Sequence, residues 1–337
     1  MSRDATSAAD AVGKGTGLRQ QVPFLPELVI AALGIAAFFL FPDDLALLMR
    51  ILITALFVLS LSLVLGQAGI ATLGHAAFLG IGAYSAGLFA LHISGDPIFG
   101  LVVGGIAGAL VAIVSGALLL RTHGLTFLML TIAVAQILYE LANQASWLTG
   151  GDDGLSGYRI DPIFGVFKFD FYSRTGYLFV LVVLVLSYFA IRRLVESPFG
   201  LSIRGIRSDQ SRMQALGSDV HRQLLVVFTI GGFFAGLAGA LTAQTSQVVG
   251  LSSLGFSASG DALVMLIVGG SRRLSGAIIG TIVFMVIHHF ASAINPYHWQ
   301  FVIGALLVAC VLALPNGLVG LIDIVRAKLP GQGGARD

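Results

Sequence analysis

Long apolar runs alternate with short polar connections along most of this chain. Ten runs approach the roughly 20 residues that an α-helix needs to cross the hydrocarbon core of a bilayer. These windows are residues 27–41, 45–65, 76–94, 98–120, 124–147, 175–195, 223–248, 258–270, 276–294 and 298–320. The eighth is short enough to fit a re-entrant or broken helix. The pattern therefore predicts an all-α, polytopic membrane protein with about ten transmembrane helices.

The composition agrees with a lipid environment. Hydrophobic residues make up 56% of the chain and charged residues only 11%, a balance far from that of a soluble domain. The formal net charge of +2 is too small to indicate a nucleic-acid surface. We therefore expect membrane lipid, and no nucleic acid, among the partners.

The basic residues indicate the orientation, because cytoplasmic connections hold an excess of Lys and Arg. Most of them precede the first window or follow the fourth, sixth, eighth and tenth, whereas the alternate connections are acidic, uncharged or, after the fifth window, mixed. Arg50, near the outer end of the second window, is expected to snorkel to the membrane surface. Both termini are thus predicted to be cytoplasmic, with a disordered tail at 1–24, a transmembrane domain at 25–322 and a second tail at 323–337.

The longest polar island covers residues 196–222 and is rich in arginine. From residue 197 it reads SPFGLSIRGIRSDQSRMQALGSDVHR. The orientation places it in the cytoplasm, where a long loop of a pore-like membrane protein is expected to meet a partner. An ordinary solvated basic loop, held near the negative inner leaflet, is the alternative.

A short segment recurs in the second half of the chain. GIATLGH at 69–75 is echoed by GLSSLGF at 250–256, each just before a new apolar window. The first copy falls on the cytoplasmic side of the predicted topology and the second on the outer side. Two inverted-topology halves would produce this relation, and so would a chance match of common membrane residues.

Small residues mark the expected helix contacts. Gly104 and Gly108 form a GxxxG pattern, as do Gly232 and Gly236. Glycines at this spacing allow two membrane helices to approach closely. We expect both pairs to lie at packed interfaces.

Polar side chains within the windows raise the question of a substrate route. Ionisable groups are few, namely Glu140, Asp261, His288 and His289, and each fits an interfacial position as well as a functional one. Uncharged polar and small residues are commoner, and seven are candidates for a translocation pathway. They are Gln67, Gly69, Gly74, His75, Thr131, Gln136 and Gln244. Hydrogen bonding between helices is the alternative role for these polar side chains.

Several functions are disfavoured by what the sequence lacks. No ladder of carboxylates crosses the windows, which argues against a carrier driven by protons or sodium. No Gly-rich loop ending in Lys-Ser/Thr is present, so an ATP site of the P-loop type is not expected. His288 and His289 are adjacent, unlike the i, i+4 pair of a zinc helix. We expect no catalytic residue, no metal site and no cofactor bound by this chain.

Four segments, in order, give the chain a family resemblance. They are GQAGIATLGHAAFLGIGAY at 66–84, GLTFLMLTIAVAQ at 124–136 with LTGGDDGL at 148–155, SPFG at 197–200 running through IRSD to ALG at 215–217, and LIVGG at 266–270 with LSG at 274–276. Together they resemble the permease subunits of ABC importers of the branched-chain amino acid (LivM-type) family, over roughly residues 45–322.

The resemblance implies a subunit of a larger importer in a bacterial inner membrane. Its implied partners are two cytoplasmic ATPase subunits that bind ATP and Mg²⁺, a LivH-type sister permease or a second copy, and an extracytoplasmic binding protein. It also implies that the 196–222 loop couples the permease to an ATPase. The matching positions are Ser197, Pro198, Gly200, Gly205, Arg207, Asp209, Ala215 and Gly217.

The cargo and the class of protein leave alternatives open. The resemblance fits branched-chain or related amino acids, and also urea, short amides or another small organic solute. The scarcity of buried charge equally suits a stand-alone channel for a small neutral solute. An intramembrane enzyme is disfavoured because no His, Asp or Glu cluster converges at one depth.

Overall fold

The computed structural model describes residues 25–162 and 174–294, together with positions 301, 304, 305, 308, 317 and 318. This part of the chain is helical, and its only strand-like pairing is an isolated antiparallel bridge between Leu155 and Val249. The tails predicted at 1–24 and 323–337 and most of the tenth window lie outside the described residues.

The helices follow the apolar windows closely. They are α1 Leu25–Leu40, α2 Leu45–Leu61, α3 Ala76–His92, α4 Pro97–Leu119, α5 Leu125–Gln144, α6 Ser146–Thr149, α7 Arg174–Glu196, α8 Pro198–Ser208, α9 Gln210–Ala215, α10 Val220–Ser246, α11 Phe256–Gly269 and α12 Leu274–Ile294. A π-helix, Ser62–Gln67, extends α2, and a 3₁₀ turn, Leu251–Leu254, precedes α11. Six helices in the described ranges are long and apolar enough to cross a membrane: α2 with its π extension, α4, α5, α7, α10 and α12.

The first nine windows each coincide with a helix, so these predictions are confirmed as helices. The eighth window corresponds to α11, which has 14 residues. At 1.5 Å per residue it extends about 21 Å, less than the roughly 30 Å of a hydrocarbon core. A short helix after a 3₁₀ turn is consistent with the broken helix expected there.

Helix α10 lies at the centre of the fold and packs against α2, α3 and α4. Its contact with α4 depends on the two GxxxG pairs. A Cβ on Gly236 would overlap the carbonyl oxygen of Gly104, and a Cβ on Gly108 would overlap that of Gly232. The packing role predicted for these four glycines is confirmed, because only the missing side chains allow the backbones so close.

Helix α1 attaches to the rest of the fold through α7. Both carboxylate oxygens of Glu27 accept hydrogen bonds from Arg192, at 2.9 and 2.7 Å. The hydroxyl of Tyr177 donates to the carbonyl oxygen of Gly34 at 2.8 Å. A largely buried ion pair and a buried hydrogen bond thus hold the first helix in place.

Candidate functional site

The polar island predicted as a coupling loop folds into two short helices, α8 and α9. Ser197 precedes α8, and its hydroxyl accepts a hydrogen bond from the backbone N–H of Gly200 at 3.3 Å. Pro198 occupies the first turn, where its missing N–H costs nothing. Asp209 ends α8 and caps α9 by accepting from the N–H of Arg212 at 3.0 Å. Capping residues therefore fix both helices locally.

Helix α8 has one buried and one exposed face. Ile203 and Ile206 are each 1% exposed, while Leu201 is 61% exposed and Arg204 is also exposed. The backbone of Gly205 lies against α9, where an added Cβ would stand 2.8 Å from the sulfur of Met213. Helix α9 ends at Ala215, and the following turn contains Gly217 at φ 86°. The exposed face of α8 thus presents an apolar side chain beside a cation.

Arg207 joins the loop to the end of α2. Its guanidinium donates a hydrogen bond to the carbonyl oxygen of Gly66, in the π-helical extension. Its side-chain stem lies against Gly69, where φ is 75° and an added Cβ would stand 2.9 Å from Cγ of Arg207. Arg207, predicted as a coupling residue, therefore contacts Gly69, predicted as a pathway residue. Gly66 was not predicted as a site residue, although it begins the first family-like segment.

The same end of α2 also contacts the connection between α11 and α12. The side-chain amide of Gln67 donates to the carbonyl oxygen of Arg272 at 3.4 Å. A Cβ on Gly66 would overlap the carbonyl oxygen of Ser271. The end of α2 is thus held between the polar island and the α11–α12 connection.

The segment before α3 contacts α5 and α11. The N–H of Leu73 donates to the hydroxyl of Thr131 at 3.4 Å, and Gly74 lies so close that a Cβ would overlap the Thr131 carbonyl oxygen. The N–H of Ala76, at the start of α3, donates to the hydroxyl of Ser259 near the start of α11, at 2.9 Å. The two echoed segments therefore lead into helices whose first turns touch.

His75 lies in the core rather than at an open surface. It is 0% exposed, and its Nε2 is 2.9 Å from the hydroxyl oxygen of Ser60. The rings of Phe57 and Phe78 lie beside it, with centroids at 5.5 Å each. Among the described residues Nδ1 has no hydrogen-bond partner. The structure gives His75 a packing environment, and a pathway role stays a prediction.

The other pathway candidates lie in different places. Gln67 is buried at the end of the π extension of α2. Thr131 is buried in α5, beside the segment that precedes α3. The amide of Gln244 is buried and donates to the carbonyl oxygen of Pro97 at 2.7 Å. Gln136 is exposed on α5, where it donates to Glu140 at 3.4 Å. The seven candidates therefore form no single line, and their role in translocation stays a prediction.

Within the described ranges, no three His, Cys, Asp or Glu side chains come together as metal ligands would. A profile of the family described as "Branched-chain amino acid transport system / permease component" matches residues 45–311. The chain belongs to this family. It is a multi-pass membrane permease, and its family is a transport component rather than a class of enzymes.

Curated relatives give the same family assignment. The chain is 29% identical over 302 residues to the high-affinity branched-chain amino acid transport system permease protein LivM of Escherichia coli K12, covering 82% of this chain and 69% of that protein. It is 29% identical to LivM of Salmonella typhimurium, covering 77% and 66%. The match thus spans about two thirds of these relatives' length. No solved structure matches the chain.

More distant relatives differ in what their names say they transport. The chain is 26% identical to a probable branched-chain amino acid transport permease protein LivH of Methanocaldococcus jannaschii, covering 65% of this chain. It is 25% identical to the galactose/methyl galactoside import permease protein MglC of Escherichia coli K12, covering 64%. Similarity at this level therefore identifies the type of permease more sharply than its cargo.

Proposed function

We propose that this chain is the transmembrane permease of an ATP-driven importer for branched-chain or related amino acids in a bacterial inner membrane. An extracytoplasmic binding protein delivers the substrate, and two cytoplasmic ATPase subunits bind ATP and Mg²⁺. The permease pairs with a LivH-type sister or with a second copy. Family membership and the LivM relatives support this assignment.

One structural observation supports ATP-driven coupling in particular. Helix α8 buries Ile203 and Ile206 but exposes Leu201 and Arg204, so its outer face is available to a partner. An exposed leucine beside an arginine suits a protein interface better than a solvated loop. On the inner side Arg207 contacts Gly66 at the end of α2. A partner held by α8 can therefore act directly on a membrane helix.

We also infer ten spans, two inverted halves and cytoplasmic termini. Arg207 and Arg272 both lie beside the end of α2, which makes that end basic and supports a cytoplasmic assignment. The contact between Ala76 and Ser259 brings together the starts of α3 and α11. Helices that begin from opposite sides and meet inside the protein are the arrangement that inverted repeats produce.

The test separates docking of the ATPase from coupling. We expect the Leu201→Asp/Arg204→Glu variant to lose co-purification with the ATPases and ATP-dependent uptake of L-leucine, because it removes the exposed apolar and basic groups of α8. The Arg222→Glu variant is the control. It repeats the charge reversal made at Arg204, and Arg222 is 84% exposed in the first turn of α10, outside α8, where Asp219 is its ion-pair partner among the described residues.

Two inner-face variants should behave differently. Arg207→Glu breaks the hydrogen bond to Gly66, and Gly205→Glu forces α8 away from Met213. Both should retain the ATPases and continue to hydrolyse ATP while uptake falls at least tenfold. Unchanged uptake in all of these variants would contradict the proposed coupling.

A stand-alone channel and a different cargo predict other results. The chain reconstituted alone in liposomes should give no solute flux, whereas flux without ATPases would support a channel. A panel of L-leucine, L-valine, urea and acetamide offered to the complete importer distinguishes amino acids from small amides. Uptake of only the amides would overturn the assignment of cargo.

A further inference from the structure

A cavity of about 420 Å³ opens between α2, α11 and α12. Its volume falls within the range of small-molecule sites. The apolar part of its wall includes Phe57 and Met265, while the polar part includes Arg50, Asp261 and His288. The cavity contains none of the residues predicted as a translocation pathway. It therefore needs a separate explanation.

Asp261 lies five residues into α11 and far from the end of α11 that packs beside α2. Gly66 packs against Ser271, which places the end of α2 level with the end of α11. Asp261 precedes Ser271 by ten residues and Phe57 precedes Gly66 by nine, so both lie about 14 Å from that end at 1.5 Å per residue. Both line the same cavity, which agrees with this count. Asp261 is thus close to the middle of the span formed by α2 and its π extension.

A carboxylate at this depth calls for a partner. Among the described residues it forms no hydrogen bond or ion pair, and His288 interacts with it electrostatically. A charged group within a membrane is costly unless it is paired or faces a water-filled cavity. Since Asp261 lines a cavity and has no ion pair among the described residues, a positively charged ligand in that cavity would provide one.

The cavity has an ordered distribution of charge. Arg50 is only five residues into α2, about 8 Å from the helix start, and its guanidinium forms no hydrogen bond or ion pair with the described residues. His288 lies near the end of α12. The cavity therefore brings a guanidinium, an imidazole and a carboxylate together with apolar walls.

We propose that this cavity binds an aliphatic α-amino acid, with Asp261 receiving its ammonium group and Arg50 its carboxylate. Phe57 and Met265 provide the apolar surface for a branched side chain. This inference rests on the proposed function, because it identifies the substrate class within that transport activity. A metal ion fits less well, because no three His, Cys, Asp or Glu side chains among the described residues come together as metal ligands would. A neutral solute would offer no charged group to either Asp261 or Arg50.

The test measures binding directly and needs no ATP. The full-length chain, with the subunits that accompany it, is placed in lipid nanodiscs without the binding protein. Saturation-transfer NMR then compares L-leucine with 3-methylbutylamine, which lacks the carboxylate, and isovalerate, which lacks the ammonium group. We expect L-leucine to bind most tightly, the amine less tightly and isovalerate least.

The variants separate the two charged contacts. Asp261→Asn should weaken binding of both L-leucine and the amine at least tenfold, and Asp261→Glu should restore most of it. Arg50→Gln should weaken binding of L-leucine to the level of the amine and leave the amine unchanged. Asp43→Asn and Arg159→Gln make the same charge changes outside the cavity and should leave binding as in the parent.

Three outcomes would overturn the proposal: no binding of L-leucine by the parent protein, isovalerate binding as well as L-leucine, or Asp261→Asn leaving both affinities unchanged. Each of these results would mean that Asp261 and Arg50 do not bind an amino acid and serve only as charged residues at the membrane surface. Failure of the uptake experiments with α8 variants would instead reject ATP-driven transport. The binding order of the three probes is measured without ATP and does not depend on the result of the uptake experiments.

Discussion

Two glycines in membrane helices should respond in opposite directions to replacement by alanine. Gly239 lies in α10, and a Cβ there would overlap the carbonyl oxygen of Leu79 and stand 2.8 Å from the backbone nitrogen of Ala83 in α3. Gly260 lies in α11, and a Cβ there would meet no other described atom within 4 Å. Comparing the two alanine variants therefore separates the effect of close helix packing at Gly239 from the general effect of replacing a glycine in a helix.

The expected magnitudes follow from these contacts. Alanine in a helix interior is favoured over glycine by roughly 0.5–1 kcal/mol, so Gly260→Ala should raise the free energy of unfolding by about that amount. At Gly239 the same gain is offset by overpacking of typically 1–3 kcal/mol or more. The clash lies with backbone atoms that cannot rotate away, so we expect a net loss of about 2 kcal/mol.

Chemical denaturation in mixed micelles measures both variants against the parent protein. The two free energies of unfolding should shift with opposite signs and differ by about 3 kcal/mol. A Gly239→Ala protein as stable as its parent would refute the close approach of α3 and α10. A loss of stability in Gly260→Ala would show that the open space beside that residue is occupied.

Two further changes test the attachments of α1 and of the loop around Tyr158. Glu27→Gln should cost about 2–3 kcal/mol of unfolding free energy, because it removes the buried ion-pair partner of Arg192, whose side chain is 11% exposed. Glu196→Gln should cost under about 1 kcal/mol, because Glu196 is 56% exposed. Equal losses in that denaturation assay would contradict a dominant buried pair. Burial raises the pKa of Tyr158, whose hydroxyl donates a hydrogen bond to the carbonyl oxygen of Ala243 at 2.9 Å. The protonated hydroxyl therefore stabilises the fold at pH values below the unfolded pKa of about 10, and this stabilisation is lost as the pH rises above that value. Tyr158→Phe should lower the free energy of unfolding by about 1 kcal/mol at neutral pH. It should also reduce the fall in that free energy above a pH of about 10. If the fall above that pH were the same in Tyr158→Phe as in the parent, the hydroxyl of Tyr158 would not be its source.

The helices were largely predictable because the membrane imposes a local rule. A window such as 45–65 must be predominantly apolar to cross lipid, and it becomes α2. The close helix packing predicted for each GxxxG pair likewise depends on small residues alone. The π-helical end of α2 was not predicted, because a change in hydrogen-bond register leaves no mark in a hydrophobic pattern.

The contacts of the candidate sites were less predictable, because they join distant parts of the chain. Arg207 and Gly66 are 141 residues apart, and no periodic pattern links them. Asp261 and Arg50 were each identified as unusual, but their shared cavity depends on how three helices pack. The surroundings of His75, one of the pathway candidates, were likewise not predictable, because Ser60 and the two aromatic rings beside it come from its packing.

The two candidate sites are connected through α2. At one end of this helix Gly66 accepts the hydrogen bond from Arg207 of α8, and toward the other end Phe57 lines the cavity that contains Asp261. The stretch between them includes the π-helix Ser62–Gln67, a geometry that is less regular than an α-helix and often occurs at functional sites. A partner that displaces α8 would act on α2 within this irregular turn, and the same movement would reshape the cavity wall. Since a ligand can shift an equilibrium only by binding two states differently, a cavity bounded by the helix that α8 contacts is where affinity for the proposed substrate can change with the state of the proposed ATPase partner.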